Sequence, residues 1–464
     1  MSRAERRRRL GAAAVVLGLA MLPCASAGAV TTLQEALILA YQTSPVLASS
    51  IAGLRATDEE IAQALSGYRP TVSASGEIGR QWTFSDQEDA FGTTRDVNTA
   101  LNPASIGLDV SQPIYQGGRT EADVRRAEFQ IQATRAQVVA TEQNVLLDAS
   151  IAFMNVVRDQ AVLELTVNNE RVLQRQLEAT QDRFAVGEVT RTDVAQAESR
   201  VAGAVADRIN AEGQLRISRA AFERVVGVAA ETLQPPQPLV GLPQSMEESV
   251  NLAQLNNPIV IQAEFLERAA AANVDFQEGF LLPEVVVTGG VRQEFDPTVG
   301  IERRSVADIR AQVTIPLYQA GAVTSQLRQA REQAGQARID TEDARRGAIE
   351  QAISAWEALL TSQAAIESLL AQVRAAEIAL DGVQQEAAVG SRTVLDVLDA
   401  EQELLDARVT LVRAQRDEVV AGFQVLSAIG QLTAPDLALP VNYYEFDTHY
   451  NEVRDTWWGL AIDD

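Results

Sequence analysis

Lysine is absent from this chain, and cysteine and histidine occur once each. The one cysteine, Cys24, falls in an opening segment, residues 1–29, that reads as a secretory signal. Arg6, Arg7, Arg8 and Arg9 give it a basic start. Residues 10–22 are apolar but too few to span a bilayer as a mature helix, and Ala25-Ser26-Ala27 and Ala27-Gly28-Ala29 are small-x-small cleavage sites. Pro23 before Cys24 makes a poor lipidation site, so the thiol is expected to leave with the signal. The remainder then has no disulfide and no thiolate nucleophile, which suits an oxidising compartment. All 39 basic residues are Arg, against 63 acids, for a net charge of −24; the signal's five Arg and one Glu take the remainder to −28. So acidic an exported chain is a poor partner for nucleic acid. His449, being alone, cannot found a histidine metal site or catalytic base and is expected at the surface. After the signal there is no run of about 20 apolar residues, so no transmembrane helix is expected. A soluble periplasmic protein, a secreted protein and an outer-membrane protein with strands all remain open.

Proline is also missing from two long stretches, 120–186 and 323–389, of 67 residues each. Both are rich in Ala, Gln, Glu, Arg and Leu, which favours helix. Ile349, Ile353, Trp356 and Leu360 step at helical spacing along one seam. At 1.5 Å per residue each helix would run about 100 Å. Short turns follow, Gly187-Glu188-Val189 and Gly390-Ser391-Arg392, and then returning helices over 190–228 and 393–429.

What is present is present twice. Pro113, Tyr115, Gln116, Gly118, Gly187 and Asp193 recur 203 residues on, as Pro316, Tyr318, Gln319, Gly321, Gly390 and Asp396. Pro45 and Pro70 recur 213 residues on, as Pro258 and Pro283, so a ten-residue insertion lies between Pro70 and Pro113. A repeat this long indicates duplication of a whole unit rather than a solenoid. The expected division is a signal at 1–29, a first repeat at 30–232, a Pro-rich linker at 233–245, a second repeat at 246–440 and an acidic aromatic tail at 441–464. That tail, with Tyr443, Tyr444, Phe446, Tyr450, Trp457 and Trp458, is expected either to pack around the waist of the helical region or to be partly disordered.

Each half opens with a helix, 33–65 or 250–276, interrupted near its start by Pro45 or Pro258. Two stretches of period two follow. Ala307, Ile309, Ala311, Val313, Ile315 and Leu317 alternate with Val306, Asp308, Arg310, Gln312 and Thr314, and similar patterns cover 71–83, 104–115 and 284–294. An ordinary sheet packed on a helix is one reading. The strand lengths favour strands that cross a membrane. Four strands cannot close a barrel, and open edges cannot face lipid, so membrane strands here require association of several copies. Trp82 and Phe84 end a strand and suit an interfacial belt.

This order, duplicated, resembles the TolC family of trimeric outer-membrane channel tunnels, closest to its type I secretion branch. The local signatures are Tyr68-Arg69-Pro70, Gln112-Pro113-Ile114-Tyr115-Gln116-Gly117-Gly118, and above all the run Val389-Gly390-Ser391-Arg392-Thr393-Val394-Leu395-Asp396-Val397-Leu398-Asp399-Ala400. The missing lipidation site separates the chain from the lipid-anchored drug-efflux branch. The resemblance implies a mostly α protein with a transmembrane pair of strands, a β-hairpin, in each half. Its duplicated long helical hairpins would form a trimeric α-barrel tunnel continuous with a 12-stranded barrel in the outer membrane. It further implies a homotrimer in outer-membrane lipid, with a large periplasmic extension. A periplasmic adaptor (membrane fusion) protein and an inner-membrane pump of ABC or RND type would be its partners, and proteins or small toxic molecules its cargo. No cofactor is implied.

Within the resemblance, Asp396 and Asp399 would line the periplasmic entrance as an acidic ring able to bind blocking cations, with no structural metal. Arg392, Asp193 and Thr192 would form the network that closes it. Gly187 and Gly390 would mark the helical tips where an adaptor docks. Thr190 and Thr393 each precede an aspartate by three, so capping alone is the competing account of Asp193 and Asp396. One departure stands out: Ala387 occupies the place of a family tyrosine bonded across the tip. No acid–base pair, phosphate loop or nucleophile motif points to an enzyme. A periplasmic structural or adaptor coiled coil without a pore is the alternative.

Overall fold

The computed structural model describes residues 32–88, 92, 94–237, 239 and 241–459. Residues 1–31, 89–91, 93, 238, 240 and 460–464 lie outside them. Both halves follow one order. In the first, α1 (Leu33–Thr43) and α2 (Pro45–Leu65) lead to a strand pair, then α3 (Arg119–Ala185) and α4 (Arg191–Val226). In the second, α5 (Met246–Asn256) and α6 (Pro258–Gly279) lead to a strand pair, then α7 (Ala322–Ala388) and α8 (Val394–Ala428). A short α9 (Phe446–Arg454) follows.

Pro45 and Pro258 each take the first position of a helix, where a missing N–H costs nothing. Ser44 caps the first by accepting from Leu47 N at 3.3 Å, and Asn257 caps the second by accepting from Ile259 N at 2.9 Å. The interruptions read from the sequence are therefore helix starts.

The helices form one layer. Above the waist, α2, α3, α6 and α7 lie side by side; below it, α4 and α8 take the places of α2 and α6 beside the lower halves of α3 and α7. Small residues such as Ala376, Ala407, Ala197 and Ala204 fill the seams and let the helices approach closely. The waist holds the main core, where α1, α3, the ends of α4 and α8, and residues 429–439 meet around Phe153, Phe222, Phe423 and Ile429. Phe153 and Phe222 stand 6.3 Å apart, tilted by 54°. The buried Glu142 accepts the Ala434 N–H at 2.6 Å and ties the chain after α8 into this core. Burial raises the Glu142 pKa, with the Ala434 bond opposing.

The strands form one sheet of four, ordered β1 (Thr71–Ile78), β4 (Ala104–Gln116), β5 (Glu284–Thr298) and β6 (Ile301–Thr314), antiparallel throughout. The ten-residue insertion is an outer extension of the first hairpin: β2 (Gln81–Glu88) pairs with β3 (Thr94–Leu101) beyond breaks at Gly79-Arg80 and Asn102-Pro103. Trp82 and Phe84 lie exposed on it. The second hairpin stops at Thr314, short of the expected 317, because Ile315 and Pro316 turn the chain towards α7. Register lines up like residues across the sheet. Ser73, Asp109, Gly290 and Asp308 form one row, and Val72, Val110, Gly289 and Ile309 the next. On β5 the face of Val285, Val287, Gly289, Val291 and Phe295 is apolar except at Gln293. Ten residues span about 33 Å of strand, or about 23 Å of height at a tilt of about 45°, close to the apolar band of outer-membrane barrels.

At the tail one expectation changes and one open alternative is decided. His449 is not a free surface residue: its ring is 12% exposed, and Nδ1 sits 3.1 Å from Oδ2 of the fully buried Asp58 on α2. Burial raises the Asp58 carboxyl pKa while the His449 bond opposes the rise. The tail, in its described part, is ordered against α2 and α3. Arg135 pairs with Asp447 at 2.8 Å, donates to the Phe446 carbonyl at 3.0 Å, and lies over the Phe446 and Tyr450 rings.

Cysteines placed singly at Ile309 and Asp308 test the face assignment in the membrane-embedded protein. A water-soluble thiol reagent is expected to modify Asp308→Cys and to spare Ile309→Cys. Equal labelling would contradict the assignment.

Candidate functional site

The far ends of the long helices are built twice from the same parts. Helix α3 ends in a left-handed glycine, Gly187 at φ 81°, and α7 in Gly390 at φ 79°, a conformation that carries no side-chain clash for glycine. Beside each, an N–H reaches back five residues, Glu188 to the Arg183 carbonyl and Ser391 to the Glu386 carbonyl, both at 2.9 Å. The returning helices then start with capping boxes. Thr190 accepts from Asp193 N, and its own N–H and hydroxyl both donate to Asp193 Oδ2 at 2.8 Å. Thr393 and Asp396 repeat this geometry. These bonds hold both aspartates below the ordinary carboxylate range, Thr190 acting on Asp193 and Thr393 on Asp396.

The expected closing residues are at the tips but do not all meet within one chain. Arg392 donates from Nε to Glu386 Oε2 at 2.8 Å, six residues back across its own turn, and that bond raises the guanidinium pKa. Among the described residues no Arg392–Asp193 pair forms, because Glu386 holds the one and Thr190 the other. Thr192 is exposed on the first turn of α4. Ala387, in the tyrosine's place, is packed and nearly buried.

Asp399 has a partner that the sequence did not give: Nη2 of Arg200 on α4. With Leu398 and Val394 packed on Leu173, Ala197 and Ala204, this pair joins the two hairpins of one chain just above the tips. Among the described residues the other bonds near the tips stay within a hairpin. Arg408 pairs with Glu377 at 2.7 Å, Gln384 bonds Glu401 at 3.0 Å, and Arg208 bonds Glu170 at 2.5 Å. The one available signal was spacing. Arg200 lies two helical turns beyond Asp193, on the same face, and Glu386 lies six residues before Arg392, on the other side of the tip turn. Among the described residues no group of three or more His, Cys, Asp or Glu could hold a metal ion within one chain.

A single-layer wall of hairpins about 100 Å long, carrying a short amphipathic sheet at one end and charged tips at the other, defines a membrane channel continued by a helical tunnel. The chain belongs to the outer membrane efflux protein family, whose model matches residues 36–228 and again 249–431. It is 36% identical over 460 residues to the outer membrane efflux protein BepC of Brucella suis, covering 98% of each chain. It is 25% identical over 441 residues to the outer membrane protein TolC of Escherichia coli, covering 91% of this chain and 87% of that one. Its fold matches the Campylobacter jejuni CmeC outer membrane channel with a TM-score of 0.78 at 15% identity, over 91% of this chain and 89% of that one. The protein is thus an outer-membrane efflux channel with a large periplasmic extension, in a family of channels rather than enzymes.

An exposed ion pair typically contributes about 0.2–1 kcal/mol, so breaking Arg200–Asp399 should change an open–closed ratio by about 1.4- to fivefold. Arg200→Gln is expected to raise the open probability in planar-bilayer recordings by that factor. An open probability equal to that of wild type would show that the pair does not hold the hairpins together.

Proposed function

We propose that the chain works as a homotrimer, a conduit across the outer membrane and periplasm that opens at the hairpin tips. The observation that carries this reading is the sheet's pair of open edges. Among the described residues β1 and β6 each have one partner, and the order β1-β4-β5-β6 leaves them free to pair antiparallel with the next copy. Three copies would close twelve strands, and the helical walls below would close in the same way. The repeats at 30–232 and 246–440, joined by 233–245, supply two hairpins each to that pseudo-symmetric wall. Their common element order supports this division.

At the entrance, Asp396 and Asp399 lie one turn apart at the start of α8, so three copies would gather six carboxylates around the axis, each Asp399 keeping Arg200 as its counter-ion while the entrance is closed. Capping is compatible with this role, because the Thr393 bonds lower the Asp396 pKa and favour its charged form. In the closed trimer Arg392 would exchange Glu386 for Asp193 and Thr192 across a hairpin boundary. The loss of the tyrosine at Ala387 leaves that link and Arg200–Asp399 as the closing contacts. The exposed Val186 and Val389, each beside a tip glycine, give an adaptor protein an apolar foothold at Gly187 and Gly390. An inner-membrane pump of the ABC or RND type would then select the cargo, small toxic molecules or proteins.

Single-channel recording tests the entrance. Asp396→Asn together with Asp399→Asn keeps a good capping side chain but removes the ring charge. The double variant is expected to lose cation preference and block by trivalent cations. Unchanged selectivity and block would refute the ring, and a wild-type protein with no conductance in any condition would refute the pore.

A further inference from the structure

The described tail ends at the foot of the barrel. From α9 the chain climbs along α2 until Arg69, two residues before β1, captures it. Arg69 Nη1 donates to the Thr456 carbonyl at 2.8 Å and Nη2 to the Arg454 carbonyl at 3.4 Å, and its guanidinium lies 5.0 Å from the Trp457 ring centre. The two indoles that follow are nevertheless left bare: Trp457 is 67% exposed and Trp458 91%. An acidic tail fixed in place only to hold two tryptophans in water has no evident purpose in the single chain.

We infer that Trp457 and Trp458 anchor the channel in the interface of the outer membrane's periplasmic leaflet, among phospholipid headgroups. This rests on the membrane-spanning reading of β1, β4, β5 and β6, and three observations carry it further. The first is level: Arg69 lies three residues below Val72, where the apolar face of β1 begins, so its partners sit within about 10 Å of the apolar band. The second is continuity with that face: Tyr68, Tyr115 and Tyr318, at or just beyond the lower ends of β1, β4 and β6, are exposed and would complete a girdle of amphipathic rings. The third is span. Trp82 lies thirteen residues above Arg69 along the same chain path, which at a tilt of about 45° is about 30 Å, close to one membrane thickness. Trp82 then marks the outer rim and the tail the inner one. Tryptophan suits the position, since its ring is apolar while its N–H can bond to a headgroup. Arg69 and Arg454 beside it supply positive charge towards lipid phosphate.

The test uses tryptophan fluorescence of the full-length protein in phosphatidylcholine vesicles. Trp82→Phe with Trp356→Phe leaves only the two tail indoles of the four tryptophans. Vesicles with phosphatidylcholine brominated near the headgroup end of its chains should quench their emission by about half or more. A control that adds Ile309→Trp to Trp457→Phe and Trp458→Phe in that background reports on the strand alone. Quenching of the control but not of the tail, whether acrylamide reaches the tail indoles (water) or fails to (a neighbouring subunit covers them), overturns the inference and leaves the barrel standing. If neither is quenched, the membrane-spanning reading itself fails and takes the inference with it.

Discussion

The structure depends on unpaired backbone at the edges of a four-stranded sheet. Inside a bilayer no water can satisfy those N–H and C=O groups, and each one left unmet costs several kcal/mol. β1 and β6 therefore need partners that the chain itself does not provide. The same incompleteness runs down the molecule. A single layer of helices has two faces and two flanks, and the buried side chains of one chain concentrate at the waist rather than along the length. A wall of this kind becomes a closed wall only by repetition.

Within one chain, order comes from a few anchors spaced along that wall. At the waist, aromatic packing around Phe153 and Phe222 and the Glu142–Ala434 bond join the ends of both halves. Above it, Asp58 with His449 and Arg135 with Asp447 fasten the tail along α2 and carry it to Arg69. Below it, among the described residues, small apolar seams and ion pairs hold the hairpins, and Leu398 and Val394 packed on Leu173, Ala197 and Ala204 link one hairpin to the other together with Arg200–Asp399. Exposed pairs contribute little, so the tips are the part of the wall held by the weakest contacts. This is where an entrance that opens and closes should be.

Most of the architecture could be read from the sequence because it rests on local and periodic causes. Absence of proline over 67 residues marked both long helices to within one residue of their observed limits. The threonine–aspartate spacing gave the capping boxes, and alternation gave the strand faces. The ten-residue offset located the insertion, although its form as β2–β3 came only from the structure. What could not be read were contacts between residues far apart in sequence. Asp58 meets His449 across 391 positions, and Arg200 meets Asp399 across 199. A lone histidine in an acidic tail resembles any surface residue until the helix beneath it is known to carry a buried carboxylate. Arg392 illustrates the opposite limit: its bond to Glu386 is local, while its proposed partner lies across a boundary that one chain does not contain.

Native mass spectrometry of the detergent-solubilised protein tests the requirement for closure most directly. The account predicts a complex of three times the mature chain's mass, with no folded monomer at concentrations where the complex persists. A well-folded, stable monomer carrying its strands intact would contradict it, because four strands would then be satisfying their own edges.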